Sequence, residues 1–154
     1  MTVLYLKSLF IFLFFTELLC SETPRNPIII VNGDAGSQLQ LKLNKPKTVH
    51  FWCAKKSDWF TNWVSLGELL PEAIDCFTDN MRLVFNASNA SFSNSPGVQS
   101  RIPYFGNTTG IEYLDPSIKY VAEYFGTFVQ AMVDIGYVRG KSIRAAPYDF
   151  RNAP

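Results

Sequence analysis

The chain has 154 residues, 47% of them apolar and 18% charged, with a formal net charge of +1. That is room for one domain and the composition of an ordinary globular protein, not a disordered one. Nothing in it is basic enough to point to nucleic acid, so no nucleic-acid partner is expected.

The first twenty residues differ in kind from the rest. Ser8 to Thr16 is an uncharged run rich in Phe and Leu, bracketed by Lys7 and Glu17. It is far shorter than the roughly 20 residues that a bilayer-crossing helix needs, so residues 1–20 read as a secretory signal peptide cut near Cys20 or Ser21. An uncleaved anchor is the alternative, because the positive charge ahead of the run is weak. Residues 21–154 would then be the mature domain.

Ile28-Ile29-Ile30-Val31 follows, four apolar and β-branched residues bounded by Pro27 and Asn32. Such a run predicts a strand buried on both faces, as in the middle of a parallel sheet. Asn32-Gly33-Asp34-Ala35-Gly36-Ser37 breaks it. Glycines at 33 and 36 permit positive φ and close approach to the main chain, so the turn either simply reverses the chain or presents free N–H groups to an oxyanion.

Leu39-Gln40-Leu41-Lys42-Leu43 alternates, as a short strand or the first turns of a helix would, with a turn at Asn44-Lys45-Pro46. In an exported chain Cys53 and Cys76 form an even pair, read as a disulfide. Free thiols are one alternative. A metal held by His50, Cys53 and Cys76 is another, short of the four ligands of a closed zinc site, and no metal or other cofactor is expected. Between the cysteines Trp59, Phe60, Trp63, Val64, Leu66, Leu69 and Leu70 recur at roughly helical spacing, and Pro71 should end or kink that helix. An aromatic core helix is the plain reading of this pattern.

Phe85 to Thr109 reads as loop, with at most a short strand near residues 82–85. It carries three glycosylation sequons, at Asn86, Asn89 and Asn107, which fit the same secretory route, lysosomal or extracellular. Asp115 is placed to cap a helix with Pro116 at its first position, Val121, Ala122, Phe125, Phe128, Val129 and Met132 on one face, and Gly136 at its end. A second strand is expected over residues 141–146, then a loop from Pro147. Strand, excursion, helix and strand is the order of a βαβ crossover, so the predicted class is α/β with a mostly parallel sheet.

The two ends together resemble the lecithin:cholesterol acyltransferase family. The likeness runs from Pro27 through the 28–39 block and the Cys53–Cys76 segment. It is most specific at Gly136-Tyr137-Val138-Arg139-Gly140 and Arg144-Ala145-Ala146-Pro147-Tyr148-Asp149-Phe150-Arg151. The resemblance implies an α/β-hydrolase fold and a serine nucleophile that takes an acyl group from a glycerophospholipid ester and passes it to water or a lipid alcohol. It makes the backbone N–H of Asp34 an oxyanion donor. It also makes residues 51–78 a disulfide-closed segment that sets Trp59, Phe60, Trp63, Val64, Leu66, Leu69 and Leu70 into a phospholipid membrane or lipoprotein surface. The chain departs from the usual family pattern at Asn32, Ala35 and Phe150, where Pro, a bulkier apolar residue and Trp are usual.

A hydrolase of this class needs a serine elbow, usually Gly-x-Ser-x-Gly, followed by an acid and a histidine. The sequence has no such motif, and its single histidine, His50, precedes every plausible nucleophile and reads as a surface or satisfied polar residue. The expectation is therefore a fragment, inactive alone, whose two parallel strands present open edges and uncovered apolar faces. Two rivals remain: a catalytically dead, disulfide-stapled lipid-binding module, and a secreted structural glycoprotein.

Overall fold

In the computed structural model of the chain, residues 26–63 and 65–152 are described. The leader read over residues 1–20, with Cys20, lies outside them, as does Val64. Among the described residues no helix is long and apolar enough to cross a membrane.

The architecture is mixed α/β. Strand β1 (Ile28–Ile30) pairs in parallel with the last strand, β7 (Ile143–Ala145), in the register Ile28 to Ile143, Ile29 to Arg144 and Ile30 to Ala145. Between them β2 (Leu39–Leu43) forms the centre of an antiparallel sheet, flanked by β3 (Phe60–Trp63) and β6 (Val98–Arg101). A separate hairpin joins β4 (Leu83–Asn86) to β5 (Ser91–Asn94). The helices are α1 (Ile74–Met81), the short α2 (Thr109–Glu112) and α3 (Gly126–Asp134), with a single 3-10 turn over Leu66–Leu69. The expected parallel pair is present, but the sheet is not mostly parallel. Of the described strand pairings one is parallel and three are antiparallel, because the long excursion between the parallel strands folds its own meander.

Two apolar cores hold these parts. Ile30, Ile143 and Ala145 pack with Ile111 and Val129, with Ile28, Phe125 and Met132 around them. Leu39, Leu41 and Leu43 pack with Val98, Phe60, Trp63 and Phe150. Alternation decides β2, since every second residue is a buried Leu, each contributing about 1.5–3 kcal/mol by leaving water. The same rule corrects β1. Ile30 is buried, but Ile29 and Val31 are about two-thirds exposed, at 67% and 65%, so the strand is covered on one face only.

The described residues from Trp59 to Leu70 do not form the single helix expected: Phe60–Trp63 is a strand and Leu66–Leu69 a 3-10 turn. β-Branched and aromatic neighbours favour a strand there, and pairing with β2 outweighs the helical spacing of the apolar residues. The register shifts between Leu39 and Gln40, which face Trp63 and Thr61 respectively. The helix begins at Ile74, after Pro71, instead of ending there, and Pro71 lies in the turn that leads into it. The Leu70 carbonyl takes both the Ala73 and Ile74 N–H groups, each at 2.9 Å.

Two further expectations fail. The Asn- and Ser-rich stretch after Phe85 contains β5 and β6, and the hairpin is joined by the Phe85–Phe92 pair with ring centroids 5.1 Å apart. Both rings are exposed, so there was no buried alternation to read. Asp115 does not cap a helix. Its carboxylate accepts from the Ser117 N–H at 2.9 Å and hydroxyl at 2.5 Å, an Asx turn that competes with helix formation. Helix α3 starts eleven residues later, where Glu123 accepts from the Thr127 N–H at 2.7 Å. Those hydrogen bonds from Thr127, side chain first, hold the Glu123 carboxyl below its ordinary range. Gly136 does close the helix, at φ 100°.

Candidate functional site

The turn after β1 is the first candidate. Gly33 O accepts the Gly36 N–H at 3.1 Å, a β-turn whose positive φ falls on Ala35 at 56° rather than on either glycine. Gly36 is required by proximity: a methyl group there would stand 2.7 Å from Tyr124 Cε1 and 3.0 Å from Gly33 O. Gly33 is under less constraint, since a methyl group would meet only the Tyr124 hydroxyl, at 3.5 Å. Among the described residues the Asp34 N–H has no main-chain partner, and Asp34 itself is exposed.

Distant parts of the chain fix this turn. The Trp63 indole N–H donates to Ala35 O at 2.7 Å. The Ser37 hydroxyl donates to Tyr148 O at 3.0 Å, tying the turn to the Ala-Pro-Tyr-Asp block. Gln38 N–H donates to Gly110 O at 3.0 Å, and Tyr124 N–H to Glu112 O at 3.0 Å, so α2 supports both sides. Glu112 is held in turn by Arg139 at 2.9 and 3.2 Å and by the Thr108 hydroxyl at 2.5 Å. The Glu112 carboxylate raises the Arg139 pKa above its ordinary value, keeping the guanidinium charged. Below the turn, Asn32 is almost wholly buried and its Nδ2 donates to Gly33 O at 2.8 Å, while its Oδ1 has no partner.

The second candidate is the excursion closed by the Cys53–Cys76 disulfide. Both thiols are consumed there, which closes the free-thiol and metal alternatives. His50 is satisfied, 2.8 Å from Asp75 Oδ2 and stacked on Trp52 with centroids 4.2 Å apart. The apolar residues of the segment divide in two. Trp63 is turned toward the turn and packs against Phe77 and Phe150, Phe60 lies on the β2 leucines, and Trp59 lies under the Arg101 guanidinium at 4.3 Å. Leu69, Leu70, Ile74, Trp52 and Phe51 are exposed, Phe51 at 94%. Of the remaining two residues, Val64 is outside the described residues and the Leu66 side chain is not described.

Phe51 and Trp52 were missed in the sequence because they precede Cys53 and fall outside the helical pattern. Tyr124 carried no local signal at all, being 88 positions from Gly36 (124 − 36). Asn86 and Asn89 are exposed and Asn107 is half-buried. In each sequon the Asn Oδ1 accepts from the residue two positions on, Ser88 N–H, Ser91 hydroxyl and Thr109 N–H, at 3.0, 2.7 and 3.0 Å. A groove of about 530 Å³ lined by Lys45, Lys47, Asp79 and Arg82 shares no residue with the turn.

A parallel strand pair whose first strand ends in a tight turn, together with an excursion closed by a disulfide, defines a mixed α/β protein. A family model described as lecithin:cholesterol acyltransferase matches residues 59–154. The lysosomal phospholipase A and acyltransferase of Mus musculus is 45% identical over 150 residues, covering 97% of this chain and 36% of its own length. Its Homo sapiens counterpart is 48% identical over 129 residues, 83% of this chain and 31% of its own length. The phosphatidylcholine-sterol acyltransferase of Homo sapiens is 49% identical over 129 residues, 83% of this chain and 29% of its own length. The chain belongs to the lecithin:cholesterol acyltransferase family. It spans about a third of the length of these curated relatives.

Proposed function

We propose that this chain supplies the oxyanion turn and the lipid-docking surface of a phospholipase/acyltransferase with an α/β-hydrolase fold. The enzyme would act on glycerophospholipid esters through a serine nucleophile. The sequence carries no serine elbow, and residues 1–154 alone would be inactive. The route is secretory, to lysosome or extracellular fluid, with sugars on Asn86, Asn89 and Asn107.

One observation carries the reading: among the described residues the Asp34 N–H has no main-chain partner, in a turn held by partners from three other segments. When a nucleophile attacks an ester carbonyl, negative charge grows on oxygen, and a donor already in place needs no reorganisation. One such donor is worth roughly 10²–10³ in rate. What supports lipid docking is the cluster of exposed apolar side chains around the disulfide, Phe51, Trp52, Leu69, Leu70 and Ile74, with Val64 and Leu66 added by the family resemblance. Trp59, Phe60 and Trp63 are the frame under that surface.

The test joins this chain to the remainder of the mouse relative and replaces Gly36 with Val. The reading expects acyl transfer to fall by roughly 10²-fold or more; transfer at the parent rate would mean that the turn is not the oxyanion site.

A further inference from the structure

Resting on the oxyanion reading of the turn, we propose that the Asn32 side chain is the positioning residue that aims the Asp34 N–H. Gly33 O takes two hydrogen bonds, from Gly36 N–H at 3.1 Å and from Asn32 Nδ2 at 2.8 Å. Two donors on one carbonyl fix the plane of the Gly33–Asp34 peptide. That peptide is planar and trans, so its N–H points opposite to its C=O. Drawing the Gly33 oxygen inward therefore turns the Asp34 N–H outward, and the shorter of the two bonds is the one from Asn32.

The chemistry of the amide supports the assignment. Flipping Asn32 would set its oxygen against Gly33 O, two acceptors face to face, so the nitrogen belongs on that side. The oxygen is then left buried without a partner. The donor half of the amide is thus the half that makes a contact, on Gly33 O. Asn32 touches no reacting atom; it acts through Gly33 and the peptide that follows.

The experiment uses this chain continued with the remainder of the mouse relative, and compares Asn32→Asp, Asn32→Ala and Gly36→Val across pH. A carboxylate cannot donate to Gly33 O, whereas a protonated carboxyl can. Asn32→Asp is therefore expected to lower kcat about tenfold to a hundredfold near neutral pH, part of the loss from removing a whole donor. KM should stay within about twofold. Relative to the parent at the same pH, its kcat should recover as the solution is acidified and the carboxyl protonates. Asn32→Ala should show the loss at every pH.

A kcat unchanged in both Asn32 variants, with Gly36→Val inactive, would overturn the role of Asn32 and leave the turn reading standing. Full activity in all three would remove the turn reading, and Asn32 with it. If Asn32→Ala does not fold, the pH ratio of Asn32→Asp decides alone, and a flat ratio overturns the proposal.

Discussion

The 32–37 turn, at Gly33 and Asp34, and the tip of the disulfide-closed excursion both reach the surface, yet they are built in opposite ways. The turn is tied by Trp63, Ser37 and Gln38 to partners far away in the chain, Asn32 braces it locally, and Tyr124 is packed across it. The tip offers Phe51, Leu69 and Leu70 to solvent. Beside the disulfide, Trp52 holds it through one 3.2 Å hydrogen bond to Glu72 O. A group that must meet developing charge needs a fixed direction, whereas a surface that enters lipid needs only apolar area. Substitutions should therefore cost rate and stability together at the turn, and adsorption alone at the tip.

The sharpest way to break this contrast is Trp63, which belongs to the excursion by sequence and to the turn by contact. Trp63→Ser removes a packed ring and the bond to Ala35 O, and should cost about 3–5 kcal/mol of stability. In the joined protein it should lower turnover of a soluble ester as much as of a vesicle substrate. A loss confined to vesicles would move Trp63 back to the lipid surface.

The disulfide ranks next. It closes a loop across 23 positions of sequence, for which chain entropy gives about 3 kcal/mol. Replacing both cysteines with Ser should lower the unfolding free energy by about that amount. Vesicle adsorption should drop with it, because Phe51 and Trp52 sit immediately before Cys53. If adsorption survives the reduced form unchanged, the tip does not depend on closure.

At the base of the excursion Lys45 is buried, and its ammonium contacts Asp79 and, at 3.1 Å, Asn80 Oδ1. The hydrogen bond from Lys45 pulls the Asp79 pKa below its ordinary value, against a smaller opposing effect of burial. A depressed carboxylate pKa gives stability that is present above the unfolded value, near 4, and lost as pH falls through the lower folded value. Asp79→Asn should therefore cost about 2 kcal/mol at pH 7 and nearly as much at pH 5. That is below the usual penalty for breaking a buried pair, because Asn keeps an acceptor for Lys45. The gap between parent and variant should close only under more acid conditions. Chemical denaturation at three pH values checks it, and a gap already closed at pH 5 would contradict a lowered Asp79 pKa.

How much of this was legible in the sequence follows the range of each signal. Leu39, Leu41 and Leu43 show their strand by local alternation, and the Asp34 turn is visible because glycines follow a β-branched run. The excursion departs from its local pattern where tertiary pairing overrides spacing: Phe60 to Trp63 belong to a run of apolar residues at helical spacing but lie against β2. The hairpin of Phe85 and Phe92 was missed because exposed strands carry no alternation to detect. The clamp on the turn was beyond reach, since Tyr124 and Trp63 meet it only after the chain has folded back.

At the tip, Phe51→Ser with Leu70→Ser should leave the unfolding free energy within about 0.5 kcal/mol of the parent, as exposed positions do. Adsorption to phosphatidylcholine vesicles should weaken by about tenfold, about 1.4 kcal/mol, with turnover of a soluble ester unchanged. Loss of the soluble activity as well would erase the difference between the two regions.

The smallest test concerns a second buried asparagine. Asn62, in β3, is wholly buried and neither amide atom has a partner, whereas Asn32 keeps its nitrogen on Gly33 O. If buried amides are retained for the bonds they make, the two should respond with opposite sign. Asn62→Val removes unpaired polar atoms from a strand that favours β-branched residues, and should raise stability by about 1 kcal/mol. Asn32→Val, which removes a bond along with the idle oxygen, should not. Equal shifts at both positions, read from denaturant midpoints at constant slope, would mean that the Asn32 bond adds nothing to the fold, leaving orientation of the Asp34 amide as the only reason for an asparagine there.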